Sequence, residues 1–224
     1  MKNVLRSLLF ISLIVFVAAG AMAQQHHPPF WKDIQQFKHQ DSIQPPPRHA
    51  ILFVGSSSFR KWTDVQQYFP NHKIINRGFG GSTLPDVIRY ANDIIFPYQP
   101  KQIVIYCGDN DAASSTKITA DSILHRFTRL YTLIRSRLPR TKVTYVSIKP
   151  SPSREKFFPV MDLANWEIQT FLNKQKHASY VDIWHPMMDD HGMPRKELFG
   201  SDMLHMNPKG YAIWKKAIQP QLVK

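Results

Sequence analysis

Several short stretches carry residue types that suit nucleophilic catalysis. Three consecutive serines, residues 56–58, follow the apolar run ILFVG. Asn110 lies in the stretch GDND, and Asp202 and His205 lie three positions apart in the stretch DMLH. A serine hydroxyl is a weak nucleophile until a base takes its proton, and histidine is the side chain suited to that task near neutral pH. These residue types indicate chemistry of the serine hydrolase kind.

The spacing of Asp202 and His205 supports this interpretation. Residues three apart lie on one face of a turn, so the carboxylate can reach the imidazole nitrogen that faces away from the serine. The glycine-rich segment at residues 76–82 can bring backbone N–H groups close to a substrate, and the Asn110 amide adds an uncharged donor. Each stretch alone also suits a turn, a helix cap or an ion pair. Their joint occurrence indicates a serine hydrolase site.

Five strand-like segments would position these side chains: HAILFVG, HKIINRG, KQIVIYCG, TKVTYVSI and ASYVDIW. Their near-continuous apolar character predicts strands that are covered on both faces. Helix-like segments alternate with them, which predicts a parallel sheet between helices and hence an α/β fold. Ligands bind beyond the carboxyl ends of the strands in such sheets, so the polar stretches are expected to meet at one edge.

Four helices are predicted from spacing and caps. One begins after Thr119 and ends before Pro139, a second covers about residues 161–174, and a third opens at Asn207 with proline at its first position. A fourth, within PFWKDIQQFKHQD, precedes the first strand, and the stretch QPPPR follows it as a stiff connector. No internal repeat or second domain is indicated.

Taken in order, the four polar stretches resemble those of the SGNH or GDSL-like hydrolases, in particular the branch similar to platelet-activating-factor acetylhydrolase subunits. The resemblance extends over about residues 51–222. It implies a three-layer, flavodoxin-like α/β fold around a central parallel sheet. It also implies a serine esterase that works through an acyl-enzyme intermediate, with no metal and no organic cofactor.

The resemblance assigns roles to individual positions. The nucleophile falls on Ser57, and the DMLH stretch supplies the rest of the triad, Asp202 and His205. The oxyanion hole would consist of the backbone N–H groups of Ser57 and Gly81 and the side chain of Asn110.

Three other residues bear on the site. Ser56 stands where the family has the aspartate of its Gly-Asp-Ser motif, a position outside the triad. Lys149 and Arg154 lie in the segment that leaves the fourth strand toward the predicted site, and either could contact a polar substrate. The alternative for both is an ordinary solvated charge on a loop.

The first residues have the pattern of a secretory signal peptide. Lys2 and Arg6 precede an apolar run, and the small-residue pattern AMA ends at Ala23. We therefore expect residues 1–23 to be a signal peptide and the protein to be secreted or periplasmic. Residues 24–48 would hold the first helix and the connector, and residues 49–224 the hydrolase domain.

Charge and composition bear on partners. The formal net charge is +13, but the Lys and Arg residues are scattered, which favours a solvated surface over nucleic-acid binding. The apolar run near the start is too short for a membrane span, so no stable membrane insertion is expected. The predicted substrate is a short acyl ester, most simply an acetyl ester, of a polar alcohol such as a carbohydrate. The alternatives are a lysophospholipase or thioesterase of the same fold, and a non-catalytic protein that binds glycans or polyanions.

Overall fold

The computed structural model describes residues 27–224, and the predicted signal peptide lies outside this part of the chain. Five parallel strands form one sheet in the order β2-β1-β3-β4-β5. The strands are β1 (Ile51–Gly55), β2 (Ile74–Gly78), β3 (Gln102–Tyr106), β4 (Lys142–Val146) and β5 (Ala178–Val181). All five coincide with the predicted segments, and the parallel α/β sheet is confirmed.

The sheet divides the core into two layers because successive strand residues point to opposite faces. Leu52 and Val54 of β1 belong to one buried cluster, whereas Ile51 and Phe53 belong to the other. The same alternation occurs in β3, whose residues are all buried. Both faces are therefore covered, which explains why the strands read as continuous apolar runs.

Nine α-helices surround the sheet in the described residues. They are α1 (Trp31–Ile43), α2 (Ser57–Arg60), α3 (Val65–Tyr68), α4 (Leu84–Arg89), α5 (Ala91–Ile94), α6 (Asp109–Ala113), α7 (Ala120–Arg137), α8 (Phe158–Leu172) and α9 (Pro208–Ile218). Helices α1, α4, α5, α6, α7 and α8 contribute to the first buried cluster, and α2, α3 and α9 contribute to the second. The layers are thus helix, sheet and helix.

The long helices follow the predicted patterns. In α7, the Thr119 hydroxyl accepts a hydrogen bond from the Ser122 backbone N–H and caps the helix start. In α9, the Asn207 side chain does the same for the N–H groups of Lys209 and Gly210. Among residues 27–224, no helix combines the length and the apolar character needed to cross a membrane.

The helix before the first strand packs against the domain. Ile34 of α1 is buried in the first cluster. Near the end of α1, the Asp41 carboxylate accepts hydrogen bonds from the Arg77 guanidinium and from the Tyr98 hydroxyl, the latter at 2.6 Å. Because Arg77 lies in β2, these bonds attach α1 to the edge of the sheet.

Candidate active site

The predicted site residues come together at the carboxyl edge of the sheet. Ser57 begins α2 immediately after β1, Gly81 follows β2, and Asn110 lies in α6 after β3. His205 lies on the long loop between β5 and α9. A cavity of about 560 Å³ opens at this edge, and it is lined by Ser57, Arg60, Lys61, Gly80, Gly81, Asn110, Arg154, Leu204 and His205.

A chain of short hydrogen bonds joins three of these side chains. His205 Nε2 lies 2.9 Å from Ser57 Oγ, and His205 Nδ1 lies 2.6 Å from Asp202 Oδ2. With the proton on Nδ1, the ring donates to the carboxylate and leaves Nε2 free to accept the serine proton. The arrangement has the order nucleophile, base and orienting carboxylate that activates a serine.

Local backbone geometry holds the carboxylate in place. Asp202 Oδ1 accepts hydrogen bonds from the backbone N–H groups of Leu204 and His205, at 3.0 and 2.9 Å. The hydrogen bond from the His205 ring and the one from the His205 backbone lower the pKa of Asp202 well below its usual range. Met203 adopts φ 52° in this turn, a left-handed conformation that is uncommon outside glycine. The carboxylate is therefore ionised and fixed beside the imidazole.

The turn from β1 into α2 requires glycine before the serines. Gly55 has φ +135°, and a Cβ built on it would lie 1.9 Å from the Tyr106 carbonyl oxygen of the adjacent strand. Only a residue without a side chain fits there. The glycine thus lets β1 pass close to β3 and turn directly into α2, whose first residue, Ser57, lines the cavity.

The two neighbouring serines are buried, unlike Ser57. Ser56 Oγ accepts a hydrogen bond from Asn110 Nδ2 at 2.9 Å, and the Ser56 backbone N–H donates to the Tyr106 carbonyl. The Ser58 carbonyl accepts a hydrogen bond from the Tyr211 hydroxyl at 2.8 Å, and neither Ser56 nor Ser58 lines the cavity. Of the three serines, Ser57 alone contacts the imidazole of His205.

Three residues that line the cavity, Ser57, Gly81 and Asn110, carry N–H groups that could donate to an oxyanion. Within residues 27–224, the backbone N–H groups of Ser57 and Gly81 have no hydrogen-bond acceptor in the protein. Gly81 has φ +84°, a backbone conformation that residues other than glycine rarely adopt. The Asn110 side chain lines the same cavity and donates to Ser56 Oγ and, at 3.1 Å, to the Ser82 carbonyl. These contacts orient the amide, and donation to an oxyanion would exchange one of them.

Lys149 does not line this cavity, so the expectation that it could contact a substrate is wrong for this structure. Its side chain is fully buried, and Nζ donates to Asp109 Oδ2 and to the Tyr106 hydroxyl, each at 3.0 Å. Burial by itself would raise the pKa of Asp109, but the adjacent Lys149 ammonium outweighs it and holds that pKa below its ordinary value. Asp109 also accepts from the Asn110 backbone N–H at 3.0 Å. The buried ion pair thus fixes the first turn of α6, which carries Asn110.

We expect Lys149→Ala to destabilise the fold rather than to weaken substrate binding selectively. The variant leaves the Asp109 carboxylate buried without its cation, and breaking such a pair costs about 3–5 kcal/mol. Thermal or urea unfolding of the purified variant measures this loss. Arg129→Ala, which removes an exposed cation from α7, is the control and should change stability by less than about 0.5 kcal/mol. Equal stability of both variants would contradict the role assigned to Lys149.

Arg154 lies at the cavity, as the sequence allowed. It belongs to the 3-10 turn Pro152–Phe157 that follows β4, and its side chain lines the space above Ser57. The Nε atom is buried and has no hydrogen-bond partner among the described residues. Arg60 and Lys61 line the same cavity, and sequence reasoning missed both. Their signal was their position three and four residues after Ser57, which places them on the same face of a helical turn.

A second Asp-x-x-His turn occurs after β5 and was also missed. His185 Nδ1 lies 2.7 Å from Asp182 Oδ2, and the Asp182 carboxylate accepts from the His185 backbone N–H, as in the first turn. The His185 side chain is 81% exposed, and no serine contacts it in the described residues. The turn alone is therefore not diagnostic, and the serine partner identifies the turn at Asp202.

Groups suited to a metal are not present in the described part of the chain. Between residues 27 and 224, no cluster of three or more His, Cys, Asp or Glu side chains could hold a metal ion. The single cysteine, Cys107, is buried and unpaired at the end of β3.

The amino-acid sequence matches a known protein family over most of its length. Residues 45–213 match the GDSL-like Lipase/Acylhydrolase family, a segment that includes all five predicted catalytic and oxyanion positions. No curated protein shows significant similarity to the chain.

Solved structures share the fold at low sequence identity. A Streptococcus pneumonia protein provisionally described as a platelet activating factor is 20% identical, with a TM-score of 0.73 over 86% of this chain and 92% of the other. A GDSL-like lipase from Bacteroides thetaiotaomicron is 20% identical, with a TM-score of 0.68 over 84% and 96%. An acetylxylan esterase from Geobacillus stearothermophilus is 12% identical, with a TM-score of 0.62 over 79% and 94%. These likenesses confirm the three-layer fold.

Proposed function

Because this chain belongs to the GDSL-like lipase/acylhydrolase family and is a serine ester hydrolase, we propose that it removes short acyl groups from a polar alcohol such as a carbohydrate. Ser57 is the nucleophile of this proposal, His205 the base and Asp202 the orienting carboxylate. The observation that carries these roles is the continuous path from Ser57 Oγ through the imidazole to the Asp202 carboxylate, with steps of 2.9 and 2.6 Å.

The proposed reaction proceeds in two halves. His205 Nε2 accepts the Ser57 proton while Oγ attacks the ester carbonyl carbon, and the carbonyl oxygen becomes an oxyanion. As the tetrahedral intermediate collapses, the imidazolium gives its proton to the departing alcohol oxygen and leaves an acyl group on Ser57. Water then attacks the acyl-enzyme with the same base, which releases the acid and restores the hydroxyl. The Asp202 carboxylate stabilises the imidazolium in both halves.

The proposed oxyanion hole uses the two free backbone N–H groups, of Ser57 and Gly81, and the Asn110 amide. The two backbone donors are fixed and free, so they stabilise developing charge without reorganising during the reaction, whereas the Asn110 amide exchanges one of its hydrogen bonds. The Ser56 hydroxyl and the Ser82 carbonyl hold the amide at the cavity wall. The Asp109 carboxylate accepts a hydrogen bond from the Asn110 backbone N–H and so fixes the backbone at this position.

We expect Asn110→Ala to lower kcat by about 10²- to 10³-fold, because it removes one oxyanion donor. KM should change little, since that hydrogen bond strengthens chiefly when the carbonyl becomes an oxyanion. Steady-state kinetics on para-nitrophenyl acetate measures both constants. A variant with unchanged kcat and a raised KM would instead assign Asn110 to ground-state binding.

The preference for short acyl groups is supported by the composition of the cavity wall. Among its described lining residues, Leu204 is the one large apolar side chain, and the others are polar, charged or glycine. Each methylene of an acyl chain gains about 0.8 kcal/mol only when it is buried against apolar surface. A long chain would find one large aliphatic side chain, Leu204, to pack against in the described wall.

A series of para-nitrophenyl esters tests the proposal. We expect kcat/KM to be higher for acetyl and propionyl esters than for octanoyl esters. O-acetylated oligosaccharides, assayed by acetate release, then test the alcohol. Higher kcat/KM for octanoyl esters would favour a lipase or thioesterase, and absence of turnover on every ester would contradict the proposal.

We further propose that the enzyme is exported and acts outside the cytoplasm. The support is the signal-peptide pattern in residues 1–23. Expression of the full chain followed by sequencing of the mature amino terminus tests it. Cleavage after Ala23 is expected, and a cell-associated protein that retains residues 1–23 would contradict export.

A further inference from the structure

The cavity above Ser57 has an uneven charge. Three cationic side chains line it, Arg60, Lys61 and Arg154, and no carboxylate is among its described lining residues. In residues 27–224, Arg60 has one carboxylate within ion-pair distance, that of Asp33, whose Oδ1 lies 4.0 Å from Arg60 Nη2. Cations that line one cavity with little compensation raise the local concentration of anions.

Arg154 is the cation with the most specific environment. Its Nε is buried but has no partner among residues 27–224, and no described carboxylate lies within 4.0 Å of the guanidinium, although its charge contributes to the lowered pKa of the nearby Asp109. The buried Asp109 carboxylate is already paired with Lys149. A buried donor left without an acceptor is costly, so an acceptor that enters the cavity and bonds to Arg154 Nε would be favoured. The guanidinium is therefore available for an anion that enters the cavity.

The position of Arg154 indicates which part of a substrate it meets. The Ser153 backbone N–H donates to the Met203 carbonyl at 3.0 Å, and Ser151 Oγ donates to the Leu204 carbonyl at 3.3 Å. These bonds fasten the Arg154 segment to the loop that carries His205. Because His205 gives its proton to the leaving oxygen, the alcohol part of an ester must lie on this side of the serine.

The other two cations reach the cavity from α2. Arg60 lies over Gly80, and a Cβ built on that glycine would lie 2.7 Å from Arg60 Nη1. The missing side chain at position 80 thus lets the guanidinium lie against the loop that carries Gly81. Arg60 and Lys61 are exposed and strengthen the positive potential of the cavity, whereas Arg154 supplies the more directed contact.

We infer that the substrate is an ester whose alcohol part carries an anionic group, and that Arg154 recognises this group. The inference rests on the proposed esterase function and adds a substrate class to it. A carboxylate, sulfate or phosphate on the alcohol would satisfy the guanidinium, because these groups accept paired hydrogen bonds from arginine.

Two acetylated methyl glycosides provide the test, one of galacturonic acid and one of galactose, each with the acetyl group at the same hydroxyl. They differ in a carboxylate against a hydroxymethyl group. We expect kcat/KM to be about tenfold or more higher for the acid, and Arg154→Gln to lower that acid-to-neutral ratio about tenfold. Arg129→Gln, which removes an exposed charge from α7 outside this cavity, is the matched control and should leave the ratio unchanged.

Three results would overturn the inference. These are a wild-type ratio near one, an unchanged ratio in Arg154→Gln, and an equal loss in Arg129→Gln. A further pair of substrates, para-nitrophenyl hemisuccinate and para-nitrophenyl butyrate, differs by a carboxylate on the acyl part. An Arg154-dependent preference confined to this pair would overturn the placement of the anion on the alcohol. If Arg154→Gln does not fold, the salt dependence of the wild-type ratio decides, since screening must reduce a charge-based ratio and a salt-independent one contradicts it.

The same assays separate this inference from the proposed function. Hydrolysis of the galactoside and of para-nitrophenyl acetate without preference for the acid would leave the esterase proposal intact and overturn the inference. If no ester is hydrolysed, the esterase proposal fails, and calorimetric binding of galacturonate against galactose tests the cavity itself. Tighter binding of galacturonate that Arg154→Lys retains and Arg154→Gln loses would support recognition by Arg154, and equal binding of both sugars would refute it.

Discussion

Replacing Ser57 by alanine is expected to lower kcat on para-nitrophenyl acetate by about 10⁴-fold or more. The variant lacks the oxygen that would form the acyl-enzyme, whereas the imidazole, the carboxylate and the backbone donors remain. The residual rate should be that of water attack in a site that still binds the ester. Because the side chain is small, half-buried and lines the cavity, unfolding measurements should show little change in stability.

The neighbouring serines are the matched controls. Ser58→Ala removes a buried hydroxyl that has no hydrogen-bond partner in the described residues, so its effect on kcat should be slight. Ser56→Ala removes one acceptor of the Asn110 amide and should lower kcat by no more than about tenfold, the range of a single weakened hydrogen bond. A folded Ser57→Ala protein with near-normal turnover, beside an inactive Ser56 or Ser58 variant, would contradict the choice of nucleophile.

The second large effect is expected for His205→Ala, which should lower kcat nearly as much as the loss of Ser57 does. Without the imidazole, no base among residues 27–224 lies within hydrogen-bond distance of the hydroxyl, since the Asp202 carboxylate contacts the ring and not the serine. Steady-state kinetics of the single and the double variant measures the relation between them. Base and nucleophile act as a unit, so their losses should not multiply. The kcat of the double variant should therefore be close to that of the slower single variant.

His185→Ala is the control for this result, because it disrupts the second Asp-x-x-His turn and spares the cavity. It should leave kcat unchanged, since His185 is highly exposed and contacts Asp182 rather than a serine. Multiplicative losses in the Ser57 and His205 double variant would contradict a shared step. A large loss in His185→Ala would show that the wrong turn was assigned.

Much of the fold could be predicted because burial leaves a strong pattern. The strands are apolar on both faces and end at turn residues, and α7, α8 and α9 are long enough to show helical spacing or a clear cap. Helices α2 to α6 were not predicted, because elements of four to six residues are too short to show a period. They form where the chain turns back after a strand, so tertiary contacts decide them.

The candidate site was predictable where the chemistry is local and unpredictable where burial decides. Asp202 and His205 share a turn, so their spacing alone indicated contact. Lys149 and Arg154 are five residues apart in one segment and have similar charge, yet one is fully buried against Asp109 and the other lines the cavity. That difference depends on which way the chain faces after β4, and the sequence contains no periodic signal for it.

The most direct test of the central claim is active-site labelling with a fluorophosphonate, read by intact mass and peptide mapping. One equivalent of the organophosphoryl group is expected on the wild-type protein, on Ser57, with esterase activity lost in proportion. Ser56→Ala should be labelled in the same way, and Ser57→Ala should not be labelled. A stoichiometric label on Ser56 or Ser58, or full esterase activity after Ser57 has been labelled, would contradict the assignment of Ser57 as the nucleophile.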